Sequence, residues 1–173
     1  EQVLNVIRLD EFSRDYEPEV VDLVSLIKSV INSRKNQFIY GNVFPKLQFD
    51  MDKALVLTDK KWSGFIIDQV VSNAIKYSKK DTKGYVYFNI IRENEKTHMI
   101  IKDEGVGIPE YDLSRVFEPF FTGENGRKFE NSTGIGLYMC KKIADNLGHE
   151  ISIKSELNKG TSVKITYISK VNL

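Results

Sequence analysis

Apolar residues recur along the chain with two periods, and the places where the period changes divide it into elements. Val3, Leu4, Ile7 and Phe12 stand at roughly helical spacing and predict the tail of a helix over residues 1–16, ended by Pro18 and its acidic neighbours. Residues 19–21 read as a short strand. Asp22 is placed to cap a helix to about residue 37, with Leu23, Leu26, Ile27, Val30 and Ile31 on one face. Residues 41–45 predict a turn, and the runs Leu47-Gln48-Phe49 and Leu55-Val56-Leu57 predict strands. Thr58 or Asp59 caps the next helix, to about residue 77, whose stripe of Trp62, Phe65, Ile66, Val70 and Ala74 faces a core. A turn at 81–84 precedes a hairpin, 85–91 with 97–102, closed across Glu93-Asn94-Glu95-Lys96. Residues 110–117 predict a short helix started by Pro109, and 123–132 are polar and without period, as in a lid. A last helix runs from the glycines at 133–137 to about residue 147, where Gly148 closes it. Residues 150–155 and 162–168 then alternate as two antiparallel strands.

Composition narrows the class without naming a chemistry. The 173 residues carry 25 Lys and Arg against 24 Asp and Glu, so no basic excess points to nucleic acid. The length suits about one domain, and the 41% hydrophobic and 28% charged fractions are those of an ordinary globule. No apolar run is long enough to cross a bilayer and no signal peptide stands at the start, which predicts a soluble, monomeric fragment. Cys140 is the only cysteine, which excludes an internal disulfide and suits a small core residue. His98 and His149 lie far apart with no carboxylate or thiol company, and read as surface or structural residues.

Three stretches could carry chemistry. The strand Met99-Ile100-Ile101-Lys102 ends on Asp103, and Glu104-Gly105-Val106-Gly107-Ile108-Pro109 follows. A carboxylate at a strand end can accept from an exocyclic amine, and bare glycine main chain lets a flat ligand lie close. Gln69, Asn73, Lys76 and Tyr77 stand three or four residues apart on one helix. The Asn73 carbonyl oxygen can ligate Mg²⁺ and Lys76 can reach a phosphate, although polar and basic residues are expected at any helix C-terminus. Thr133-Gly134-Ile135-Gly136-Leu137 exposes main-chain N–H groups at a helix start, which suits a phosphate. No strand feeds it and no Lys-Ser/Thr follows, so it is neither a dinucleotide fingerprint nor a P-loop.

In order, Asn73-Ala74-Ile75-Lys76-Tyr77-Ser78, Asp103-Glu104-Gly105-Val106-Gly107, Phe117-Glu118-Pro119-Phe120 and Thr133-Gly134-Ile135-Gly136-Leu137 resemble the N, G1, F and G2 boxes of bacterial sensor histidine kinases. Gly160-Thr161 resembles the small closing motif, and the likeness covers residues 20–168. It implies an α+β domain of the Bergerat ATP-binding fold shared with gyrase, MutL and chaperone ATPases. That fold is a two-layer α/β sandwich, with a mixed, mostly antiparallel sheet and helices on one face. Residues 1–17 would be the end of a dimerisation and phosphoacceptor helix with its linker, and 18–173 the catalytic domain. Leu9-Asp10-Glu11-Phe12 and Asp15-Tyr16 look more loosely like small membrane kinases of Gram-positive bacteria that respond to cell-wall antibiotics.

Carried onto these residues, the resemblance implies that Asp103 receives the adenine amine of ATP and Asn73 holds Mg²⁺. Lys76 and Tyr77 would flank phosphates and ribose. Gly105, Gly107 and Ile108 would shape the adenine pocket, and Phe120 and Thr161 would also bind the nucleotide. Thr133, Gly134, Ile135, Gly136 and Leu137 would cradle phosphates, and Arg127 or Lys128 would offset charge on the γ-phosphate. Asn73, Lys76, Arg127 and Lys128 would be the catalytic set. The implied partners are ATP, the protein's own phosphoacceptor domain in a homodimer and a response regulator, with the domain on the cytoplasmic side of a membrane-anchored bacterial protein.

Two departures qualify the likeness. Ser132 stands where the glycine run commonly begins, which stiffens the lid hinge because serine tolerates φ > 0 poorly. No His-Glu or His-Asp phosphoacceptor helix is present, so the chain should bind ATP without phosphorylating itself. The alternatives are a hydrolytic ATPase of the same superfamily and a non-catalytic nucleotide-binding scaffold. Hydrolysis would need a general base one turn before Asn73, where this chain has Gln69. A scaffold would be expected to have lost Asn73, Asp103 or the glycines at 134 and 136, and all are present.

Overall fold

A computed structural model of the protein describes residues 16–124 and 132–168. The first strand, β1 (Glu19–Asp22), leads through the Asp22 cap into α1 (Leu23–Ser33) and α2 (Lys35–Tyr40). Then come β2 (Val43–Leu47), β3 (Leu55–Thr58) and the long α3 (Lys60–Lys76). The hairpin β4 (Gly84–Glu93) and β5 (Lys96–Asp103) follows. Short α4 (Glu110–Leu113), α5 (Gly136–Asn146) and the pair β6 (Glu150–Glu156) and β7 (Gly160–Ile168) complete the described chain.

Five strands form one sheet in the order β2-β4-β5-β7-β6, with only the β2–β4 pair parallel, and β1 pairs with β3 in a separate antiparallel ribbon. The mixed, mostly antiparallel sheet is thus as expected. Along β4 and β5 every second residue is buried: Val86, Phe88 and Ile90, then Met99 and Ile101. Against that face lie α3, with Ile66, Ile67, Val70 and Val71, and α5, with Met139, Cys140, Ile143 and Ala144. This alternation is what a sheet covered on one face by helices requires. Phe65, assigned to the core stripe, is only partly buried at its edge.

Several boundaries differ from the sequence reading, each for a local reason. The helix expected over 22–37 breaks at Arg34, where φ is −97° and ψ 8°. The Arg34 guanidinium bonds Asp68 of α3 at 2.7 Å, and a fresh turn carries Phe38 into the core. The expected turn at 41–45 is half strand. Pro45 sits inside β2, which tolerates a missing donor because it is the edge strand. The strand expected at Leu47-Gln48-Phe49 ends at Leu47, and Gly84 belongs to β4 and not to the turn before it. The helix after Pro109 is four residues long, with Pro109 at the cap position and not inside the first turn. The helix tail predicted over the first residues, and most of the predicted lid, lie outside the described residues.

Carboxylates join the small ribbon to the helices. Asp22 accepts from Val24 N–H at 3.1 Å, capping α1, and from Ala54 N–H at 2.9 Å. Of the two candidate caps for α3 it is Asp59 that serves, its Oδ1 accepting from Trp62 N–H at 2.9 Å. Its Oδ2 accepts from Glu17 N–H, also at 2.9 Å. Thr58 instead meets Ser63 at 2.8 Å and the buried His149 at 2.9 Å. Burial holds the His149 pKa down at about 4, so the ring is a neutral, structural hydrogen-bonding group. His98 bonds Thr166 at 2.9 Å and is structural as well. No helix among the described residues is long and apolar enough to cross a membrane.

Candidate functional site

The last two turns of α3, the end of β5 and the start of α5 open on one cavity of about 270 Å³. Helical spacing brings Gln69, Asn73, Lys76 and Tyr77 to its wall, and β5 delivers Asp103. The loop after β5 adds Gly107, Ile108 and Pro109, and the run into α5 adds Ser132, Thr133, Gly134, Gly136 and Leu137. Thr161 and the apolar Ile153 and Val163 come from β6 and β7. Eleven expected site residues therefore share one space: Asn73, Lys76, Tyr77, Asp103, Gly107, Ile108, Thr133, Gly134, Gly136, Leu137 and Thr161.

Asp103 is a half-buried carboxylate at the cavity edge. Its Oδ1 accepts from Gly105 N–H at 2.8 Å and from Thr161 N–H at 3.2 Å, while Oδ2 takes no bond among the described residues. Burial pushes its pKa up to about 6, against the pull of those two N–H donors. The carboxylate is thus ionised at neutral pH, with one oxygen left for a donor in the cavity. Lys76 is also partly desolvated, which lowers its pKa.

The glycines after Asp103 do a different job from the one the sequence suggests. A Cβ on Gly105 would stand 2.3 Å from the Tyr77 carbonyl oxygen, and Gly105 borders a second hollow beside Glu104 and Ser78, not the main cavity. Gly107 has φ +68°, and a Cβ there would stand 2.0 Å from the Glu156 carbonyl oxygen. These positions let main chain press on main chain. Val106 N–H donates to Tyr77 C=O at 3.0 Å, and Asn158 N–H donates to Val106 C=O at 2.8 Å. The loop is wedged between the end of α3 and the β6–β7 turn. Of the two glycines assigned to the adenine pocket, Gly105 and Gly107, only Gly107 lines the cavity.

The glycine run before α5 is similar. Gly134, at φ +68°, would put a Cβ 2.4 Å from the Phe120 carbonyl carbon, and its own C=O accepts from Phe120 N–H at 2.9 Å. That closeness throws the Phe120 ring outward. It is 73% exposed and absent from the cavity wall, where Phe121 and Thr122 stand in its place. Ile135 is buried in the core and does not reach the cavity either. Arg127 and Lys128 lie outside the described residues. Ser132, the departure from the usual glycine, places its hydroxyl 3.0 Å from the Tyr77 hydroxyl.

Two residues missed by the sequence reading belong to this neighbourhood. Asp112, buried in α4 and on the cavity wall, accepts from Glu124 N–H at 3.0 Å. Ser155 accepts from Ile108 N–H at 2.8 Å and ties the Asp103 loop to β6. An acid in a short helix and a serine in a strand carry no signal of their own, and only the fold makes them neighbours.

Comparison with known proteins agrees with this geometry. "Sensor histidine kinase YxdK" of Bacillus subtilis (strain 168) is 45% identical over 173 residues, covering 99% of this chain and 52% of that protein. "Sensor protein kinase GraS" of Staphylococcus aureus (strain MRSA252) is 34% identical over 168 residues, 95% of this chain and 46% of that one. The chain spans about half the length of these relatives. In fold it is similar to histidine kinase ThkA, solved in complex with response regulator protein TrrA, at a TM-score of 0.76 and 21% identity over 97% of this chain and 47% of that one. The architecture is that of the Bergerat ATP-binding domain. Residues 58–170, which hold every cavity segment named above, match the family described as "Histidine kinase-, DNA gyrase B-, and HSP90-like ATPase", and to that family the chain belongs.

Proposed function

We propose that the chain is the ATP-binding catalytic domain of a sensor histidine kinase. It presents the γ-phosphate of ATP to a histidine on a dimerisation domain, and the phosphoryl group then passes to an aspartate of a response regulator. The observation that carries this reading is Asp103, a half-buried carboxylate with one oxygen engaged and the other left over a cavity edged by Asn73, Lys76 and the glycine run of α5. The relatives' names support the kinase chemistry, and ThkA's complex with TrrA supports the regulator as partner.

In this mechanism Asp103 Oδ2 accepts from the adenine amine, and Gly107, Ile108 and Thr161 close around the ring. Lys76 and Tyr77 lie along the phosphates and ribose, and Thr133, Gly134, Gly136 and Leu137 offer the first turn of α5 to the phosphates. The half-buried Asn73 would hold Mg²⁺ through its side-chain carbonyl oxygen. Among the described residues no group of three or more His, Cys, Asp or Glu could hold a metal. A single amide oxygen fits Mg²⁺, which takes few protein ligands and completes its shell with phosphate oxygens and water. When bound, Mg²⁺ neutralises charge on the phosphates. Transfer then depends on positioning and electrostatics, with Arg127 or Lys128 assigned to the γ-phosphate.

The hydrolytic reading is less well supported, because Gln69 cannot act as a general base and its Oε1 lies 2.9 Å from where a Gly136 Cβ would stand. The test is calorimetric titration of a non-hydrolysable ATP analogue with Mg²⁺ into the native chain and Asp103→Asn. Loss of one charge-assisted hydrogen bond is expected to weaken binding roughly ten- to a hundredfold. Native-strength binding by the variant would overturn the adenine assignment.

A further inference from the structure

The cavity floor beside Asp103 holds a hydrogen-bond arrangement that fixes the direction of its hydroxyl protons. Ser155, on β6, accepts from Ile108 N–H at 2.8 Å and donates to the Gly160 carbonyl oxygen at 2.8 Å. The same Oγ lies 2.8 Å from Thr161 Oγ1. A serine hydroxyl has one proton and two lone pairs. Its proton is committed to Gly160, because a carbonyl oxygen can only accept. The bond between the two hydroxyls therefore runs from Thr161 to Ser155, which fills the second lone pair of Ser155. Thr161 spends its only hydroxyl proton there and keeps lone pairs alone for the cavity it lines. Its main-chain N–H is engaged as well, on Asp103 Oδ1 at 3.2 Å.

The geometry points to Ser155 as a positioning residue that holds Thr161 as a hydrogen-bond acceptor, so that the floor selects a purine bearing an exocyclic amine over one bearing a carbonyl at the same place. This deepens the ATP reading and rests on it. Asp103 Oδ2 and Thr161 Oγ1 both offer lone pairs, and an amine has two protons to give. A carbonyl brings lone pairs of its own, with no proton between, in a partly buried site where such mismatches are costly. Ser155 touches no ligand in this account. It acts by taking away the proton with which Thr161 could otherwise welcome a carbonyl. Selectivity built on hydrogen-bond direction is stronger than selectivity built on apolar fit.

The experiment is calorimetric titration of Mg·ATP and Mg·ITP, which differ at the purine 6-position, into the native chain, Ser155→Ala, Ser155→Thr and Thr161→Val. The readout is the ratio of the two Kd values, which a merely bracing role would leave alone. Ser155→Ala frees the Thr161 proton to turn into the cavity, and the preference for ATP is expected to narrow by about fivefold or more. Ser155→Thr retains a hydroxyl and the native ratio. Thr161→Val deletes the acceptor at nearly constant shape and narrows the ratio too, which keeps the test open if Ser155→Ala does not fold. An unchanged ratio in Ser155→Ala, or in Thr161→Val should Ser155→Ala be unfolded, overturns the inference. If the native chain shows no preference for ATP, or Asp103→Asn binds both nucleotides like the native chain, the ATP reading fails and this inference with it. A native preference lost in Asp103→Asn but untouched in Ser155→Ala sinks the inference alone.

Discussion

The two ends of the cavity are built by opposite means. Around Asp103 the parts come from the strands β5, β6 and β7, and every polar group named there is tied to another by main-chain or hydroxyl bonds. At the other end Asn73, Lys76 and Gln69 project from one helix toward a glycine run that follows a polar loop. The first end is a piece of the core with one oxygen left over. The second is a helix face opposed to a helix start, joined by side chains such as Tyr77 and Ser132 and not by strand pairing. Rigid recognition and adjustable positioning thus belong to different walls of one cavity, which suits a ligand whose base must be read and whose phosphates must be handed on.

Breaking the rigid end at its main chain should have the largest effect. Gly107→Ala adds a Cβ 2.0 Å from the Glu156 carbonyl oxygen at φ +68°. It is expected to cost roughly 3 kcal/mol in chemical denaturation and to abolish nucleotide binding. Gly148→Ala has nearly the same φ, +72°, with nothing within 4 Å of the added atom, and should cost only about 1 kcal/mol. Equal losses in the two would mean that the wedge against the β6–β7 turn is unimportant.

The next largest effect concerns charge at the same end. Asp103 has a folded pKa raised to about 6 from an ordinary value of 3.8, so the folded state binds its proton more tightly than the unfolded chain. Its contribution to stability is therefore fully present below about pH 4 and is lost as pH rises through 6. Ligand affinity runs the other way, since only the ionised carboxylate is a full acceptor. The affinity advantage of the native chain over Asp103→Asn should grow as pH rises from 5 to 7, and a flat ratio across that range would break the assignment. Comparison with the variant cancels titration of the nucleotide itself.

At the adjustable end, Asn73→Ala should remove most of the affinity gained on adding Mg²⁺, roughly tenfold, while leaving metal-free binding within about twofold. Equal losses with and without the metal would make Asn73 a structural residue. Smallest of all, Tyr77→Phe removes the hydroxyl that meets Ser132 and should change affinity by less than about fivefold, as expected for one half-buried neutral hydrogen bond.

The same contrast governs what was legible in the sequence. Asp103, Asn73 and the α5 glycines stand in contiguous strings, each weak alone, and it was the order of those strings along the chain, resembling the kinase boxes, that brought them forward. Phe120 was misplaced because its string does not reveal that Gly134 presses on its main chain and turns the ring out. Gly105 was given to the ligand because its close approach is to Tyr77, twenty-eight positions away, which no local pattern encodes. Ser155 and Asp112 were missed for the same reason, their roles depending on partners that only the sheet and α4 bring near. In the fold, amphipathic α3 and α5 and the alternating hairpin were readable. The break at Arg34 was not, since its guanidinium answers to Asp68 on another helix.

Asp59 has a consequence for signalling in the proposed kinase. One carboxylate, 3% exposed, grips the first turn of α3 with one oxygen and the incoming chain at Glu17 with the other. The chain that arrives from the amino-terminal side is in this way riveted to the helix whose far end bears Asn73 and Lys76. A displacement of residue 17 would therefore act on the same carboxylate that caps α3, the helix whose far end bears Asn73 and Lys76.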